Sequence, residues 1–322
     1  MDQHDLELPT PIHTILVPLD GSSLGEVALP VARSLARRLG AALDLTMVLE
    51  PVGQRLPRVP AAPPLDPPAE VELGGDRLAL ADEYLARIAA GVSDGVDVRT
   101  AITILEGAPA EMLARHLAEG AAQIVVMATH RRGELGRFLL GSVADELVRR
   151  ATAPVLLIAS GDERKAAHEA DVGTRVLLPL DGSSSGTSII RHAVSVAGSE
   201  GTRYLLARVL DPVKASIGPH MGVHVARADL PREGEEAEAF LEPLARGLRE
   251  RGLTVETRVV VAPEPVGAIL ELARDYGANL IAMATHGYQR AERLVLGSVA
   301  SRVLIGTDVP VLLYRTTQRA TP

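Results

Sequence analysis

Two short polar motifs, each present twice in the chain, contain the residues best suited to chemistry. The first is Asp-Gly-Ser-Ser, which follows a short apolar run at Asp20 and again at Asp181. An aspartate at the carboxyl end of a strand can accept hydrogen bonds from an amine or from a ribose hydroxyl. The same residues are also typical of an Asx turn in which a serine caps the next helix, an interpretation that needs no ligand.

The second motif starts with Met-Ala-Thr-His and continues through a loop to Gly-Ser-Val at the start of a predicted helix. A helix N-terminus offers unpaired N–H groups, and a Gly-Ser step there lets the backbone approach a phosphate while the hydroxyl donates a further bond. An ordinary serine N-cap after a flexible loop is the alternative. The residues concerned are Ala128, Thr129, His130, Arg131, Gly141, Ser142 and Val143, and then Ala284, Thr285, His286, Gly287, Gly297, Ser298 and Val299.

These motifs belong to an internal duplication that covers the chain. Asp181 follows Asp20 by 161 residues, whereas Thr285 follows Thr129 by only 156, so the first copy carries five extra residues between these landmarks. The proline-rich stretch 51–68 explains the difference as a surface loop, since such a density of proline suits neither a helix interior nor a central strand. We therefore predict a first nucleotide-binding domain at 1–160, a polar linker at 161–172 and a second nucleotide-binding domain at 173–322.

The composition narrows the class of protein. Apolar residues make up 47% of the chain but aromatic residues only 2%, so the cores must consist mainly of Leu, Val, Ile and Ala. The absence of Cys excludes disulfides, thiolate metal sites and thiol nucleophiles. A formal net charge of -8 argues against general binding of nucleic acid, which needs a basic surface. The acidic N-terminus does not resemble a signal peptide and no apolar run approaches the ~20 residues that span a bilayer, so we expect a cytoplasmic protein without membrane insertion.

Apolar periodicity alternates between strands and helices in each copy, with short connections. Such alternation predicts an α/β fold of two tandem, open, doubly wound five-stranded parallel sheets with helices on both faces. In a Rossmann-like strand order 3-2-1-4-5, ligands bind outside the carboxyl ends of the first and fourth strands, where both polar motifs fall. Pro30 is expected to kink or shorten the first helix. The predicted strands lie at 14–18, 43–49, 96–105, 124–128 and 155–159, then near 175–179, 203–209, 254–261, 279–284 and 310–314, and the first-copy helices lie at 23–39, 69–90, 109–119 and 142–150.

Together these segments resemble the universal stress protein family in its tandem form, and the resemblance covers nearly the whole chain. ATP-binding members of that family carry Gly, two residues, Gly, nine residues, Gly and then Ser or Thr after the fourth strand. In the second copy these positions fall at Ala284, Gly287, Gly297 and Ser298, so only the first glycine is replaced. The resemblance therefore implies an ATP site in the second copy.

The first copy departs further from the family pattern. Its positions are Ala128, Arg131, Gly141 and Ser142, so two glycines are lost, one of them to arginine. The Arg131 side chain can obstruct the approach of the backbone to a phosphate, or its guanidinium can pair with phosphate oxygens in place of the glycine. Our hypothesis is that the second site binds ATP more tightly than the first.

The resemblance also implies roles for residues outside the glycine motif. Asp20 and Asp181 would contact the adenine or ribose region, and Val48 and Val209 on the second strands would pack against adenine. Magnesium would accompany the triphosphate, although no dedicated protein cage for it is visible. In the family the fifth strand forms the dimer contact, so we expect the two halves to pair through it and two chains to pair again as a homodimer.

Three interpretations of the function stay open at the level of the sequence. The first is an ATP-binding stress-response protein whose nucleotide occupancy regulates its conformation or an unidentified protein partner, with no enzymatic activity beyond slow ATP hydrolysis. The second is a dimerising stress scaffold without nucleotide, because of the departures at Ala128, Arg131 and Ala284. The third is a serine hydrolase, since Ser23 and Ser184 are central to Gly-x-Ser-x-Gly sequences between a strand and a helix.

A pair of histidines could suggest a metal site. His220 and His224 are four residues apart, which would place both on one face of a helix. The neighbouring Gly218, Pro219 and Gly222 predict a solvated loop instead, so we expect no metal site there.

Overall fold

The computed structural model of the chain describes residues 9–51, 74–93, 98–129, 141–159, 172–217, 223–227, 229–286 and 298–316. Within them, strands and helices alternate in both copies, as the apolar periodicity predicted. The elements of the first copy are β1 (Thr14–Leu19), α1 (Ser23–Glu26), α2 (Leu29–Leu39), β2 (Ala42–Leu49), α3 (Gly74–Ser93), β3 (Thr100–Glu106), α4 (Pro109–Ala118), β4 (Ile124–Thr129), α5 (Ser142–Arg150) and β5 (Val155–Ala159).

The second copy repeats this order with a single helix between its first two strands, and it adds a hairpin after its second strand. Its elements are β6 (Arg175–Pro179), α6 (Ser188–Ala197), β7 (Arg203–Leu210), β8 (Val213–Ile217), β9 (Val223–Arg227), α7 (Leu230–Arg249), β10 (Thr254–Val261), α8 (Pro265–Tyr276), β11 (Leu280–His286), α9 (Ser298–Gly306) and β12 (Val311–Thr316).

Both copies contribute to a single ten-stranded sheet. The strands run in the order β3-β2-β1-β4-β5 in the first copy and β10-β7-β6-β11-β12 in the second, which confirms the predicted order 3-2-1-4-5. Neighbouring strands within a copy are parallel, whereas β5 and β12 pair antiparallel, with Leu156 opposite Leu312. The expected pairing of the halves through their fifth strands is thus confirmed. Because this pairing is antiparallel, the strands of the two copies have their carboxyl ends at opposite edges of the sheet.

The first helical segment is interrupted in the way that Pro30 predicts. α1 ends at Glu26 and α2 starts at Leu29, with Pro30 in its first turn, where the missing N–H costs no hydrogen bond. Gly40 ends α2 with a φ of 64°, a left-handed conformation that glycine adopts without strain. Local steric effects therefore account for both ends of α2.

Other boundaries differ from the predicted ones by a few residues. The helix predicted at 69–90 continues to Ser93, while its predicted start lies outside the described residues, and the strand predicted at 96–105 starts at Thr100. Apart from its first residue, the proline-rich stretch 51–68 lies outside the described residues.

The hairpin of β8 and β9 is an element that the alternation of strands and helices does not predict. It lies between β7 and α7, where the first copy has its proline-rich stretch. His224 is in β9, opposite Ser216, so the predicted loop is wrong for His224, and His220 lies outside the described residues. Glycine and proline between two short runs of alternating apolar residues are typical of a hairpin turn, which explains the difference.

The core lies on both faces of the sheet and continues from one copy into the other. Leu156 and Leu312 belong to one apolar cluster, and Leu157 and Val311 to the other, all without exposed surface. Complete burial of such a side chain contributes roughly 1.5–3 kcal/mol, so the joint between the copies is stabilised like a domain interior. Within the described residues, no helix is long and apolar enough to cross a membrane.

Arg38 on α2 adds a polar contact between the copies. Its guanidinium donates to the carbonyl oxygen of Val172 at 2.6 Å and to that of Val196, in the last turn of α6, at 2.8 Å. A cation at a helix C-terminus also interacts favourably with the negative end of the helix dipole. A residue of the first copy therefore caps a helix of the second.

Burial of the His192 side chain on α6 makes the free energy of unfolding depend on pH. The residue is 9% exposed, its ring centroid lies 4.0 Å from that of Tyr314, and its Nε2 accepts from Arg191 Nε at 3.3 Å. Burial, and secondarily the positive charge of Arg191, lower the pKa of His192 to about 3. The imidazole is therefore neutral in the folded protein near neutral pH.

We expect acid to destabilise the fold through His192. Because its pKa is lower in the folded than in the unfolded chain, stability is lost as the pH falls from the unfolded value of 6.5 towards 3. Linkage predicts a loss of about 2 kcal/mol between about pH 7 and about pH 5. His192→Phe keeps a ring against Tyr314 without the titration, so its free energy of unfolding in urea should decline less over that interval. Equal pH slopes for the variant and the wild type would contradict this assignment.

Candidate functional site

The Asp-Gly-Ser motif after β1 forms a hydrogen-bonded turn. The N–H and the hydroxyl of Ser22 donate to Asp20 Oδ1 at 3.0 and 2.5 Å, and Ser22 Oγ accepts from the N–H of Gly25 at 3.1 Å. The serine thereby caps α1, as the structural interpretation of the motif predicted. Asp20 is nevertheless exposed and lines a cleft, so the turn also holds its carboxylate at that cleft.

The same turn follows β6 in the second copy. Ser183 donates to Asp181 Oδ1 through its N–H at 2.9 Å and its hydroxyl at 2.6 Å, and accepts from the N–H of Gly186 at 3.0 Å. A Cβ built on Gly186 would lie 2.6 Å from Asp181 Oδ1, and one built on Gly25 would lie 3.0 Å from Asp20 Oδ1. The last glycine of each Gly-x-Ser-x-Gly sequence is therefore explained by the carboxylate that packs against it.

In the first of these turns the capping serine is not the serine that a nucleophile elbow would use. The serine that makes the capping bonds is Ser22, whereas the central serine of the motif, Ser23, is an exposed residue at the start of α1. Among the described residues, no hydrogen bond joins Ser23 to a histidine, and a nucleophilic serine needs a base within hydrogen-bond reach. His130 lies outside the described residues, as does the side chain of His286.

A cleft of about 840 Å³ opens at the carboxyl ends of β1, β2 and β4 in the first copy. It lies beside the point where the strand order reverses, which is where open parallel sheets bind ligands. Both polar motifs contribute to it, although they are far apart in the sequence. The predicted first-copy residues that line it are Asp20, Val48, Ala128, Thr129, Gly141, Ser142 and Val143. Arg131 lies outside the described residues.

One end of the cleft has the features of an anion site. Thr129, at the end of β4, is 2% exposed, and its buried Oγ1 has no hydrogen-bond partner within the described part of the chain. The N-cap of α5 is Gly141, which has no side chain that could cap the helix, and Ser142 follows as the first helical residue. Because buried hydroxyls are normally satisfied, this oxygen and the helix terminus together fit a ligand with acceptor oxygens.

The other end of the cleft is lined by apolar residues with a polar rim. Val48 on β2 faces the cleft together with Pro109 and Leu113 of α4. At the rim, Arg77 on α3 donates from Nη1 to the carbonyl oxygen of Glu50 at 3.1 Å. The sequence interpretation did not single out the α3 and α4 residues, because they look like ordinary surface and core positions of amphipathic helices. The cleft thus offers apolar walls at one end and hydrogen-bond donors at the other.

A buried polar cluster lies below the cleft, on the same side of the sheet. His116 Nε2 on α4 lies 2.8 Å from Asp44 Oδ2 on β2, and Thr46 Oγ1 donates to Asp44 Oδ1 at 3.1 Å. Asp44 is 5% exposed and Thr46 is fully buried, yet Thr46 also belongs to the residues that line the cleft. An aspartate within an otherwise apolar strand is the signal in the sequence that could have indicated this cluster.

The second copy places its candidate residues on the corresponding elements. Gly287 and Gly297 lie outside the described residues, as does the side chain of His286. The described candidates are Asp181 after β6, Val209 on β7, Ala284, Thr285 and the backbone of His286 on β11, and Ser298 and Val299 at the start of α9.

Two arginines of the second copy replace uncharged residues of the first. Arg208 stands where the first copy has Met47, and its guanidinium carbon would lie 2.7 Å from a Cβ built on Gly182. Arg315 stands where the first copy has Ala159, and its buried Nε has no hydrogen-bond partner among the described residues. These positions add positive charge near the carboxyl ends of the second-copy strands.

Comparisons with known proteins agree with this architecture. A model of the universal stress protein family matches residues 11–159 and 174–315, once for each copy. A universal stress protein of Mycolicibacterium smegmatis is 30% identical over 309 residues, which are 94% of this chain and 96% of the relative. One of Mycobacterium tuberculosis is 31% identical over 195 residues, which are 60% of this chain and 62% of that relative. The crystal structure of a universal stress protein from Archaeoglobus fulgidus has the same fold, with a TM-score of 0.68 at 17% identity over 94% of this chain and 98% of that one.

Gly186→Ala should destabilise the protein, because the new Cβ would meet Asp181 Oδ1 at 2.6 Å. We expect the free energy of unfolding to fall by about 1–3 kcal/mol, as at other overpacked sites. Gly25→Ala, where the contact is 3.0 Å, should cost less. Gly234→Ala in α7 is the control, since no atom lies within 4 Å of its Cβ and alanine is the better helix residue. If urea unfolding finds Gly186→Ala as stable as Gly234→Ala, the carboxylate moves aside freely and this explanation of the glycine is wrong.

Proposed function

The chain belongs to the universal stress protein family, and we propose that each copy binds an adenine nucleotide, ATP with Mg²⁺ above all. The ligand would lie across the carboxyl ends of the strands, with its phosphates at a helix N-terminus and its base against the second strand. Occupancy would regulate the conformation of the chain or its contact with a protein partner.

The observation that carries the proposal is the hydroxyl of Thr129, which has no hydrogen-bond partner among the described residues. It is buried at the end of β4, beside the start of α5, in a cleft of about 840 Å³. Leaving a buried hydroxyl without a partner costs roughly 1–3 kcal/mol, and a phosphate oxygen that accepts from Oγ1 would remove this cost. The first turn of α5 adds N–H donors and a partial positive charge.

The other cleft residues have chemistry that suits the remaining parts of a nucleotide. Asp20 Oδ1 already accepts from Ser22, but the carboxylate keeps lone pairs for ribose hydroxyls or an amine. Val48 and Leu113 offer apolar surface to the base, and Ser142 offers a hydroxyl to a phosphate. The corresponding second-copy residues are Asp181, Val209, Thr285 and Ser298, with Ala284, His286, Gly287, Gly297 and Val299 beside them.

Magnesium would enter with the nucleotide rather than occupy a protein site of its own. Among the described residues, no group of three or more His, Asp or Glu side chains is placed to hold a metal ion. Mg²⁺ keeps several water ligands and is commonly bound through substrate phosphates, so the phosphates would supply most of its contacts. We propose no activity beyond slow ATP hydrolysis, since efficient phosphoryl transfer needs a metal and a positioned base together.

Three differences between the copies support tighter binding at the second site. Gly287 stands in place of Arg131. The first turn of α5 contains Asp145, whose carboxylate opposes an anion at the helix start even though Arg149 pairs with it at 2.8 Å, while the first turn of α9 contains no acidic residue. Arg315 adds a guanidinium beside the end of β11. The absence of an acidic residue from the first turn of α9 and the added Arg315 favour an anionic ligand in the second copy, and the glycine in place of Arg131 removes a side chain that can obstruct the approach of the backbone to a phosphate.

We propose that regulation passes between the copies through α5. This helix brings Ser142 to the first cleft and packs against β12 of the second copy. β12 in turn pairs with β11, which ends at the second site. A ligand shifts such an arrangement only if it binds one state more tightly than the other, and closure of the first cleft around phosphate would provide that difference.

The first experiment measures bound nucleotide. The protein is purified without added ligand and denatured, released nucleotides are identified by chromatography, and the emptied protein is titrated with Mg-ATP by calorimetry. We expect adenine nucleotide to be released. Thr129→Val should weaken the first site about tenfold, yet leave the unliganded protein at least as stable as the wild type because it removes a buried hydroxyl that has no partner in the described part of the chain.

Thr257→Val on the edge strand β10 is the matched control for Thr129→Val and should bind like the wild type. If no nucleotide is released and no heat appears at millimolar ATP, the scaffold interpretation replaces this proposal.

We also propose a homodimer, although β5 and β12 already pair within the chain, so two chains must meet elsewhere. A molar mass equal to a single chain in light scattering would exclude the dimer.

We expect the two sites to bind Mg-ATP with different affinities. Asp20→Ala removes the ribose acceptor of the first cleft and should leave the tighter binding phase in calorimetry. Asp181→Ala should leave only the weaker phase, by the same reasoning for the candidate site of the second copy. Two equal sites in the wild type, or the opposite assignment of the phases, would contradict the proposed order.

A further inference from the structure

The first copy contains the Asp44 cluster, formed by Asp44, Thr46 and His116, and the second copy has no equivalent of it. Asp44 pairs with Leu16 of β1. The residue of β6 that corresponds to Leu16 is Leu177, and it pairs with Leu205 of β7. His116 follows Pro109, the first residue of α4, by seven residues. Leu272 follows Pro265, the first residue of α8, by the same number. The counterparts of the cluster are Leu205, Ala207 and Leu272, which are 0%, 1% and 5% exposed.

This difference shows that the fold does not need the cluster. The second copy builds the same strand order and packs the same helix on the sheet with apolar residues at all three positions. A buried charged pair is often no more stabilising than well-packed apolar residues of similar volume. A role confined to the first copy therefore accounts for the cluster better than general stability does.

The cluster connects the two walls of the first cleft. On β2, residues 44, 46 and 48 alternate onto one face, so Asp44 and Thr46 lead directly to Val48 in the cleft lining. On α4, His116 follows Leu113, another lining residue, by about one turn. The contact between Asp44 Oδ2 and His116 Nε2 at 2.8 Å therefore joins the wall that β2 forms to the wall that α4 forms.

A hydrogen bond restrains this spacing in a way that apolar packing does not. Donor and acceptor must keep a narrow range of distance and angle, whereas apolar contact between leucines is non-directional. Since a carboxylate oxygen only accepts, His116 contributes the N–H of the contact, and Thr46 holds the second carboxylate oxygen at 3.1 Å. The Asp44 side chain is thus oriented from two sides.

We infer that Asp44 and His116 are a positioning pair that sets the width of the first cleft between Val48 and Leu113, and so determines which flat base fits there. The inference rests on the proposed nucleotide function. The second copy has Leu205 and Leu272 at these positions, so apolar packing alone would set the corresponding spacing there.

The test exchanges the cluster for the residues of the second copy. Asp44→Leu/Thr46→Ala/His116→Leu is made in an Asp181→Ala background, so that Mg-ATP and Mg-GTP titrations report on the first site. We expect the variant to stay folded, to bind Mg-ATP about tenfold more weakly, and to discriminate less between ATP and GTP. His116→Gln is the conservative variant, because its side-chain N–H has the same reach as Nε2 and should retain affinity and selectivity.

The same exchange in an Asp20→Ala background controls for a merely structural role, since it should leave the second site unchanged. Wild-type affinity and wild-type ATP/GTP selectivity at the first site of the exchanged variant would overturn the inference while leaving the proposed function intact. An equal loss at both sites would overturn it as well, because the cluster would then act on overall stability. Absence of nucleotide binding in the unexchanged Asp181→Ala and Asp20→Ala proteins would instead refute the proposed function, and the inference with it.

Discussion

The antiparallel pairing of β5 with β12 is the contact on which the rest of the structure depends. Each fifth strand is apolar and buried, and an exposed edge of that kind is prone to pair with other chains. Pairing the two edges with each other joins both apolar cores across the sheet, with Leu156 against Leu312 at the centre of the joint. It also fixes the two sets of strand ends at opposite edges of one sheet, so the two candidate sites are separate by construction.

Some residues of the candidate sites also stabilise the local structure. The Asp20 carboxylate receives two hydrogen bonds from Ser22, which caps α1, and it packs against Gly25. The same side chain lines the cleft. A functional group held by a capped helix and a tight turn loses little conformational freedom on binding, which is how a small site of ordinary residues can gain affinity. The structural and the ligand-binding interpretations of the motif are therefore compatible.

The duplication has kept the packing of the two copies alike while their polar chemistry diverged. Buried positions change together, as where Asp44 and His116 correspond to Leu205 and Leu272, because a lone buried charge without its partner is costly. Positions at the strand ends change singly, as where Ala159 corresponds to Arg315, because solvent or a ligand can satisfy a new charge there. Two candidate sites of one ancestry can thus come to differ in charge without any change of fold.

Much of the architecture is already determined by the sequence. Repeated motifs define the two copies, alternating periodicity defines the parallel strands, and Pro30 defines the break between α1 and α2, because each of these depends on neighbouring residues alone. The polar motifs also identify most of one side of the first cleft, since the carboxyl ends of adjacent strands meet at one edge of a sheet.

Contacts between elements that are far apart in the sequence depend on the tertiary structure, because local sequence patterns do not specify them. Leu113 and Arg77 line the cleft only because α4 and α3 pack beside β2, and Asp44 meets His116 only because a strand and a helix far apart in the sequence share one face of the sheet. The β8–β9 hairpin likewise depends on a pairing between two segments whose composition alone also suits a loop. Sequence periodicity tells which side of an element is buried, but the partner it meets there is selected by the packing of the whole chain, which minimises exposed apolar surface and unpaired polar groups together.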